Sequence, residues 1–189
     1  MNTTATTPKT DHAHPTRHHR LLRRITGQQL KPILEILAQV TWPYPEAKVP
    51  TLIDRLGWTW LSDRVDIEAD TRLPVNYAVA GFAKPHGGLI RISFLLTDRV
   101  STRDENAAAL VKRSHLALAT DIQNLWGDPG GSETGEVDRT WWDLATDSRL
   151  NLYFYPDEVR VTLLSDVDAE MDRLYQAHPL EEYPELYGD

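Results

Sequence analysis

Residues 140–165 read TWWDLATDSRLNLYFYPDEVRVTLLS, and this stretch decides the fold. Apolar side chains occupy every second position on both sides of the turn residues Pro156, Asp157 and Glu158, which is the period of a strand that buries one face. These positions are Leu150, Leu152, Phe154, Val159, Val161 and Leu163. The stretch predicts a meander of three short strands joined by two tight turns, and it contains no catalytic group.

A long helix is predicted upstream of the meander, over residues 102–126. Thr102 and Glu105 have the spacing of a capping box, and Gly127 supplies the C-terminal stop. Between these ends, apolar and small residues recur at helical spacing, at Ala107, Leu110, Val111, Ser114, Leu118, Ile122 and Leu125. The polar, glycine-rich residues 127–139 then predict an exposed loop that leads into the meander.

The first part of the chain combines helices and strands. Helical spacing of apolar residues begins near Thr26, and Pro50 opens a second, short helix. Strands are predicted over residues 58–64, 75–82 and 89–96.

A last helix is predicted after the meander, where Ser165 can serve as the cap. It carries Val167, Met171, Leu174 and Tyr175 on one face. Taken together, the elements predict an α+β fold with a single curved antiparallel sheet of about five to six strands, on which the long helix and the terminal helices pack.

The charge of the chain is unevenly distributed. The formal net charge is -8, and residues 1–24 carry five Lys or Arg against Asp11 alone, which leaves +4 in this segment and -12 in the rest. We expect residues 1–24 to be a disordered, basic, His-rich tail, residues 25–178 to be one domain, and residues 179–189 to be an acidic C-terminal tail. An acidic body repels nucleic acid and favours basic partners.

Several classes of chemistry are not expected. The sequence has no cysteine, which removes thiol catalysis, cysteine-ligated zinc and disulfides. It has neither a GxGxxG nor a GxxxxGKS/T motif, so no cofactor is expected, and its histidines outside the tail are isolated, so no metal is expected either. No run is apolar enough for a signal peptide or a membrane span, and a cytoplasmic location without membrane contact is expected.

The order of elements resembles the secretion-chaperone-like fold, and the detailed pattern is similar to that of an uncharacterised actinobacterial, immunity-protein-like family. The resemblance covers about residues 28–176 and rests on core and turn positions. They are Leu52, Ile53, Leu56, Gly57, Trp58, Leu125, Trp126, Gly127, Trp142 and the final hairpin through Leu163. Members of that broad group look like immunity proteins and chaperones that bind a secreted toxin or effector without catalysis. No functional residue is carried over, because the matched positions are structural.

The resulting hypothesis is a non-catalytic binding protein, most concretely an immunity factor that neutralises a basic secreted toxin, as a monomer or homodimer. The adjacent Trp141 and Trp142 should point to opposite faces of a strand, so that one is core and the other is covered or available to a partner. The candidate partner-binding residues are Asp128, Glu133, Glu136, Asp138, Trp141, Trp142, Glu181, Glu182 and Glu185. A secretion or assembly chaperone is the alternative, and an enzyme with a site assembled from His86, His115 and Asp143 is the third interpretation.

Overall fold

The computed structural model describes residues 22–61, 67–83 and 88–177. Within these ranges the chain forms one curved antiparallel sheet and four α-helices, which confirms the predicted α+β class. The strands are β1 (Tyr44–Pro45), β2 (Thr59–Trp60), β3 (Ile67–Asp70), β4 (Ala78–Ala83), β5 (Gly88–Leu95), β6 (Gly131–Glu133), β7 (Asp138–Asp143), β8 (Arg149–Tyr155) and β9 (Glu158–Leu164). The helices are α1 (Gly27–Leu37), α2 (Val49–Arg55), α3 (Glu105–Trp126) and α4 (Asp166–Ala177).

The predicted meander forms one half of the sheet. The strand order is β2, β3, β4, β5, β9, β8, β7 and β6, and β1 pairs with the start of β5. Leu150 lies opposite Trp142 on one side and Leu163 on the other, so the alternating apolar residues of the meander share one face. We call this the inner face of the sheet, and the opposite side the outer face.

The sheet has more strands than the five to six predicted, and one of the additional strands lies in the segment predicted as an exposed loop. Gly131–Glu133 forms the edge strand β6, which pairs with β7. Gly131 lies opposite Trp141, and a Cβ at position 131 would lie 2.3 Å from Cζ2 of the indole. The glycine therefore allows the backbone to approach the tryptophan closely enough to pair.

The N-terminus of α3 also differs from the prediction. The side chain of Asp104 accepts a hydrogen bond of 3.1 Å from the Ala107 N–H, so Asp104 and not Thr102 caps the helix. The helix therefore begins at Glu105, three residues after the predicted start. It ends as predicted at Gly127, whose φ of 83° favours glycine.

The hydrophobic core lies between the inner face and the helices α1 and α3. Thr26 caps α1 in a capping box with Gln29, and α1 buries one apolar side in this core. The inner face contributes Ile92, Phe94, Trp142, Leu150, Leu152, Val161 and Leu163, and the helices contribute Leu30, Leu34, Leu37, Val111, Leu118 and Ile122. Burial of one stripe of each helix fixes the position of both helices on the sheet.

The predicted tails lie mostly outside the described residues. At the first described positions, Arg23 pairs with Asp98 at 2.7 Å and Arg24 forms a β-bridge with Thr97. No helix in the described ranges has the length and apolarity needed to cross a bilayer.

Candidate partner-binding surface

The helix α4 lies on the outer face of the sheet, where it contacts β5 and β9. Ser165 caps it as predicted, because the Ser165 hydroxyl oxygen accepts a hydrogen bond of 3.1 Å from the Asp168 N–H. The side of α4 that faces the sheet carries Ala169, Asp172, Arg173 and Gln176, of which only Ala169 is apolar. The contact between α4 and the sheet is therefore largely polar.

Arg149 of β8 is the centre of this contact. Its side chain is only 3% exposed, and its guanidinium binds both oxygens of Asp143, at 2.9 and 3.1 Å. The same guanidinium donates to Asp172 and Gln176 of α4, both at 2.8 Å. Arg149 thereby joins the sheet to two successive turns of the helix.

Two further arginines extend these bonds into a network. Arg139 of β7 binds Asp172 at 2.5 Å and Glu133 of β6 at 2.8 Å. Arg173 of α4 binds Asp143 at 2.8 Å. We call the six residues Glu133, Arg139, Asp143, Arg149, Asp172 and Arg173 the charged network. It contains three acids and three arginines, so their formal charges cancel.

The charged network holds its groups in their ionised forms. Burial disfavours the charge of Asp143, but hydrogen bonds from Arg149 and Arg173 more than offset this effect and lower the pKa of the carboxyl. Burial likewise disfavours the charges of Arg139 and Arg149, and their bonds to Asp172 and Asp143 raise the pKa of both guanidinium groups. Such a mutually neutralised set stabilises the position of α4, since removal of one member takes a bond from each of its partners and leaves the set with a net charge.

Trp141 lies beside this network on the outer face. Its indole is half-buried between two guanidinium groups, with Arg139 at 5.2 Å and Arg149 at 5.3 Å from the ring centroid. Gly130 and Gly131 pass directly under the ring. Cation–π contacts with Arg139 and Arg149 hold the indole in one orientation. The two glycines beneath the ring have no side chains that would displace it.

A cavity of about 390 Å³ opens between Trp141 and α4. Its walls are formed by Ser132, Glu133, Arg139, Trp141, Asp172, Tyr175 and Gln176, and we call it the Trp141 groove. It contains two residues that the sequence analysis selected, Glu133 and Trp141.

The side of α4 that faces away from the sheet is apolar and exposed. Val167, Met171, Leu174 and Tyr175 have exposed fractions of 54%, 43%, 48% and 52%. We call these four residues the α4 stripe, and Tyr175 joins it to the Trp141 groove. The sequence predicted this stripe, and it also predicted that the terminal helices pack on the sheet. The stripe of α4 instead faces away from the sheet.

The other sequence-selected residues are not brought to this surface as a set. Trp142 is buried in the core, where its indole N–H donates to the Gly127 carbonyl oxygen at 3.1 Å, so it is the structural member of the tryptophan pair. Asp128 accepts a hydrogen bond from Gln123 at 2.7 Å, and Glu136 lies exposed in the turn between β6 and β7. Asp138 is half-buried at the start of β7.

The acidic residues Glu181, Glu182 and Glu185 lie outside the described residues. Sequence reasoning missed the residues that anchor α4, namely Arg139, Arg149 and Asp172. The arginines alternate with apolar residues along the strands, and a strand that buries one face is expected to expose such polar residues to solvent. Only a pairing with an acid more than twenty residues away could have identified them.

The two groups of the enzyme interpretation that the structure describes, His115 and Asp143, do not meet. His115 lies on α3 with its ring 5.4 Å from that of Phe154 on the inner side of the sheet, and Asp143 belongs to the charged network on the outer face. Burial lowers the pKa of His115, against the opposing effect of the Asp138 carboxylate. His86 lies outside the described residues, and within the described ranges no three His, Asp or Glu residues are grouped closely enough to hold a metal.

The fold and this surface define an α+β protein in which an antiparallel sheet presents a polar-anchored helix. Residues 28–165 match DUF6301, a family of unknown function, and the chain belongs to that family. The match includes the whole meander and stops at Ser165, immediately before α4. Searches of curated proteins and of solved structures gave no match.

Proposed function

We propose that the protein is a non-catalytic binding protein, and most concretely an immunity factor of actinobacterial type that neutralises a basic secreted toxin by direct contact. The observation that carries this proposal is the α4 stripe, an apolar face next to the Trp141 groove that the described residues leave exposed. The expected occupant is a folded protein with a basic rim around an apolar patch.

The composition of the surface supports a protein partner. Contiguous exposed apolar patches are uncommon on monomeric proteins and mark interaction sites. Tyrosine, tryptophan and methionine are enriched at such sites, and the surface offers Tyr175, Trp141 and Met171. Scattered apolar residues have no such meaning, and the exposed Leu110 and Leu116 of α3 lie on different sides of that helix.

Exposed acids on α4 and in the turn between β6 and β7 support a basic partner. Glu136 and Glu170 are exposed and have no hydrogen bond or ion pair to any described residue, whereas the arginines next to Trp141 are neutralised within the charged network. The whole chain is also acidic, with a net charge of -8. Opposite charge on the partner would accelerate association.

A binding role is also favoured over catalysis by the arrangement of the titratable groups. The two groups of the enzyme interpretation that the structure describes, His115 and Asp143, lie on opposite sides of the sheet. Each has a local structural partner, Phe154 and Arg149 respectively.

The test is binding to the product of a neighbouring toxin gene, measured by calorimetry, together with rescue of growth when both are expressed. The double variant Met171→Gln/Leu174→Gln removes the apolar character of the α4 stripe. The matched control is Leu110→Gln/Leu116→Gln, which makes the same number of exposed changes on α3. We expect the α4 variant to bind at least about tenfold more weakly and the control to bind as the wild type does.

Equal binding by both variants would remove the stripe from the interface, and failure to bind any neighbouring gene product would contradict the immunity role. The charge argument is tested separately with Glu136→Gln/Glu170→Gln. This variant should reduce the association rate and its dependence on salt, because exposed rim charges act mainly on the encounter. An unchanged salt dependence would show that the partner is not recognised through basic groups.

The alternative is a secretion or assembly chaperone, and the position of β6 favours it. This strand forms one edge of the sheet and borders the Trp141 groove, so an extended effector segment could pair with it. Tight binding of an unfolded effector peptide, without inhibition of any toxin, would support the chaperone and contradict immunity.

A further inference from the structure

A second cavity lies on the outer face of the sheet, on the part that α4 leaves uncovered. Its volume is about 350 Å³, within the range of about 300 to 1,000 Å³ that is usual for small-molecule sites. The floor is formed by β5 and β9, where Ser93 lies opposite Thr162 and Arg91 lies opposite Leu164. We call it the arginine–tyrosine pocket.

The charge of this pocket is opposite to that of the chain. Arg91 and Arg160 line it, and none of its described lining residues is acidic. Arg160 is held in place by Glu158 and by the ring of Tyr155, whose centroid lies 5.5 Å from the guanidinium carbon.

The acid that holds Arg160 does not neutralise the pocket. Glu158 is almost fully buried and also pairs with Arg99, so its single charge is shared between two guanidinium groups. Arg91 is exposed and has no hydrogen bond or ion pair to the described residues, although Asp168 of α4 acts on it at longer range. The pocket therefore retains positive charge that an anionic group could bind.

Aromatic rings form the walls on both sides of the floor. Tyr153 and Tyr155 lie together on β8, with ring centroids 6.1 Å apart, and Tyr77 stands on the opposite side. The Ser93 and Thr162 hydroxyls, 2.8 Å apart, lie between the walls and provide further hydrogen-bonding groups. Tyrosine rings stack on planar ring systems, and arginine forks match the oxygens of phosphate.

We propose that the arginine–tyrosine pocket binds a small molecule that carries both a planar aromatic ring and a phosphate group, of the size of a nucleoside monophosphate. The phosphate lies between Arg91 and the free N–H groups of Arg160, and the planar ring lies against the tyrosines. Phosphate is favoured over a single carboxylate because its three terminal oxygens can also accept hydrogen bonds from the central hydroxyl pair. This site is separate from the α4 stripe and does not depend on the proposed toxin partner.

The proposal is tested by calorimetry on the full chain with AMP and UMP as probes, and with adenosine and inorganic phosphate as their halves. We expect at least one nucleotide to bind with a Kd below about 1 mM and at least about tenfold more tightly than either half. Absence of nucleotide binding at about 5 mM would overturn the proposal. Equal affinity for inorganic phosphate or for adenosine would also overturn it, because one half of the site would then contribute nothing.

Two variants and one control locate the binding. Arg91→Gln should weaken nucleotide binding by about tenfold or more, whereas Arg113→Gln, the same change at an exposed arginine of α3, should leave it unchanged. Tyr155→Leu should reduce the preference for the nucleotide over inorganic phosphate. Unchanged binding by Arg91→Gln, or equal weakening by both arginine variants, would place the ligand elsewhere and contradict the assignment.

Discussion

The helices α3 and α4 each carry a stripe of apolar residues at helical spacing, yet they direct it to opposite environments. α3 buries Val111, Leu118 and Ile122 against the inner face of the sheet. α4 turns its stripe to solvent and places Asp172, with Arg173 and Gln176, over the outer face.

The difference is determined by the strands and not by the helices. The outer face presents Arg139 and Arg149, and these guanidinium groups are largely buried beneath α4. An apolar helix surface at this place would take from both guanidinium groups their bonds to Asp172, and would leave them largely buried with only the sheet residues Asp143 and Glu133 as acidic partners. The amphipathic pattern of a helix therefore shows that an apolar stripe exists. Whether the stripe faces the sheet or the solvent depends on whether the opposing sheet surface is apolar or charged.

The largest expected effect comes from equal truncations on the two helices. Leu118→Ala in α3 removes a side chain that is 1% exposed and should reduce the free energy of unfolding by about 3 kcal/mol. Leu174→Ala in α4, where the leucine is 48% exposed, should change it by less than about 0.5 kcal/mol. Urea unfolding measures both values, and similar losses at the two positions would contradict the opposite orientations.

The anchor of α4 gives the next largest effect. Arg149→Leu should destabilise the protein by about 2 kcal/mol, less than for an isolated buried pair because Asp143 and Asp172 keep Arg173 and Arg139 as partners. Relative to the wild type, amide hydrogen exchange in the Arg149→Leu variant should accelerate more in α4 than in α3. Arg173 is partly exposed and serves as the comparison. Arg173→Leu should reduce the free energy of unfolding by less than about 1 kcal/mol. If α4 keeps its protection in the Arg149 variant, the network does not hold the helix.

The glycine under Trp141 gives a smaller effect. Gly131→Ala places a Cβ against the indole and should cost about 1 to 2 kcal/mol, because the ring must leave its position between the arginines. Gly135→Ala is the matched control, since a Cβ there would have nothing within 4 Å. Thermal unfolding and tryptophan fluorescence should both change in the first variant only. An equal response in the two variants would exclude a specific contact with Trp141.

The smallest effect concerns the buried histidine of α3. Burial lowers the pKa of His115 below its ordinary value of 6.5, so the unfolded chain takes up a proton at a higher pH than the folded one. The stability that neutral His115 contributes is complete above about pH 6.5 and is lost as the pH falls toward the lowered pKa. The melting temperature of the wild type should therefore decrease more steeply below pH 6.5 than that of His115→Gln. Parallel curves would show that His115 is not buried as a neutral group.

The elements of the fold that depend on local patterns could be predicted from the sequence. Alternation predicted the meander, and the helical spacing with Gly127 predicted α3 and its end. The sequence could not predict β6, because that strand exists only where Gly131 meets Trp141 across the sheet. The predicted start of α3 was wrong by three residues, because Asp104 and not Thr102 caps the helix.

The candidate surface was predictable to a smaller extent. Trp141 and Glu133 stand out as an aromatic and an acid in the sequence, and both line the groove. The pair of Arg149 and Asp172 did not stand out, because the two residues are 23 positions apart and each is ordinary in its own element. The arginine–tyrosine pocket was missed for the same reason, since its arginines lie on strands that are distant in the chain.

The most direct test of the central claim uses Met171. The chain contains two methionines, so a methyl-labelled sample gives two methionine signals, and Met171→Leu identifies the one from α4. If α4 is anchored by its polar side, a soluble paramagnetic agent should broaden the Met171 methyl signal strongly, and addition of the protein partner should restore it. A Met171 methyl that is protected in the free protein, to the extent expected for the buried Leu118, would contradict the outward direction of the α4 stripe.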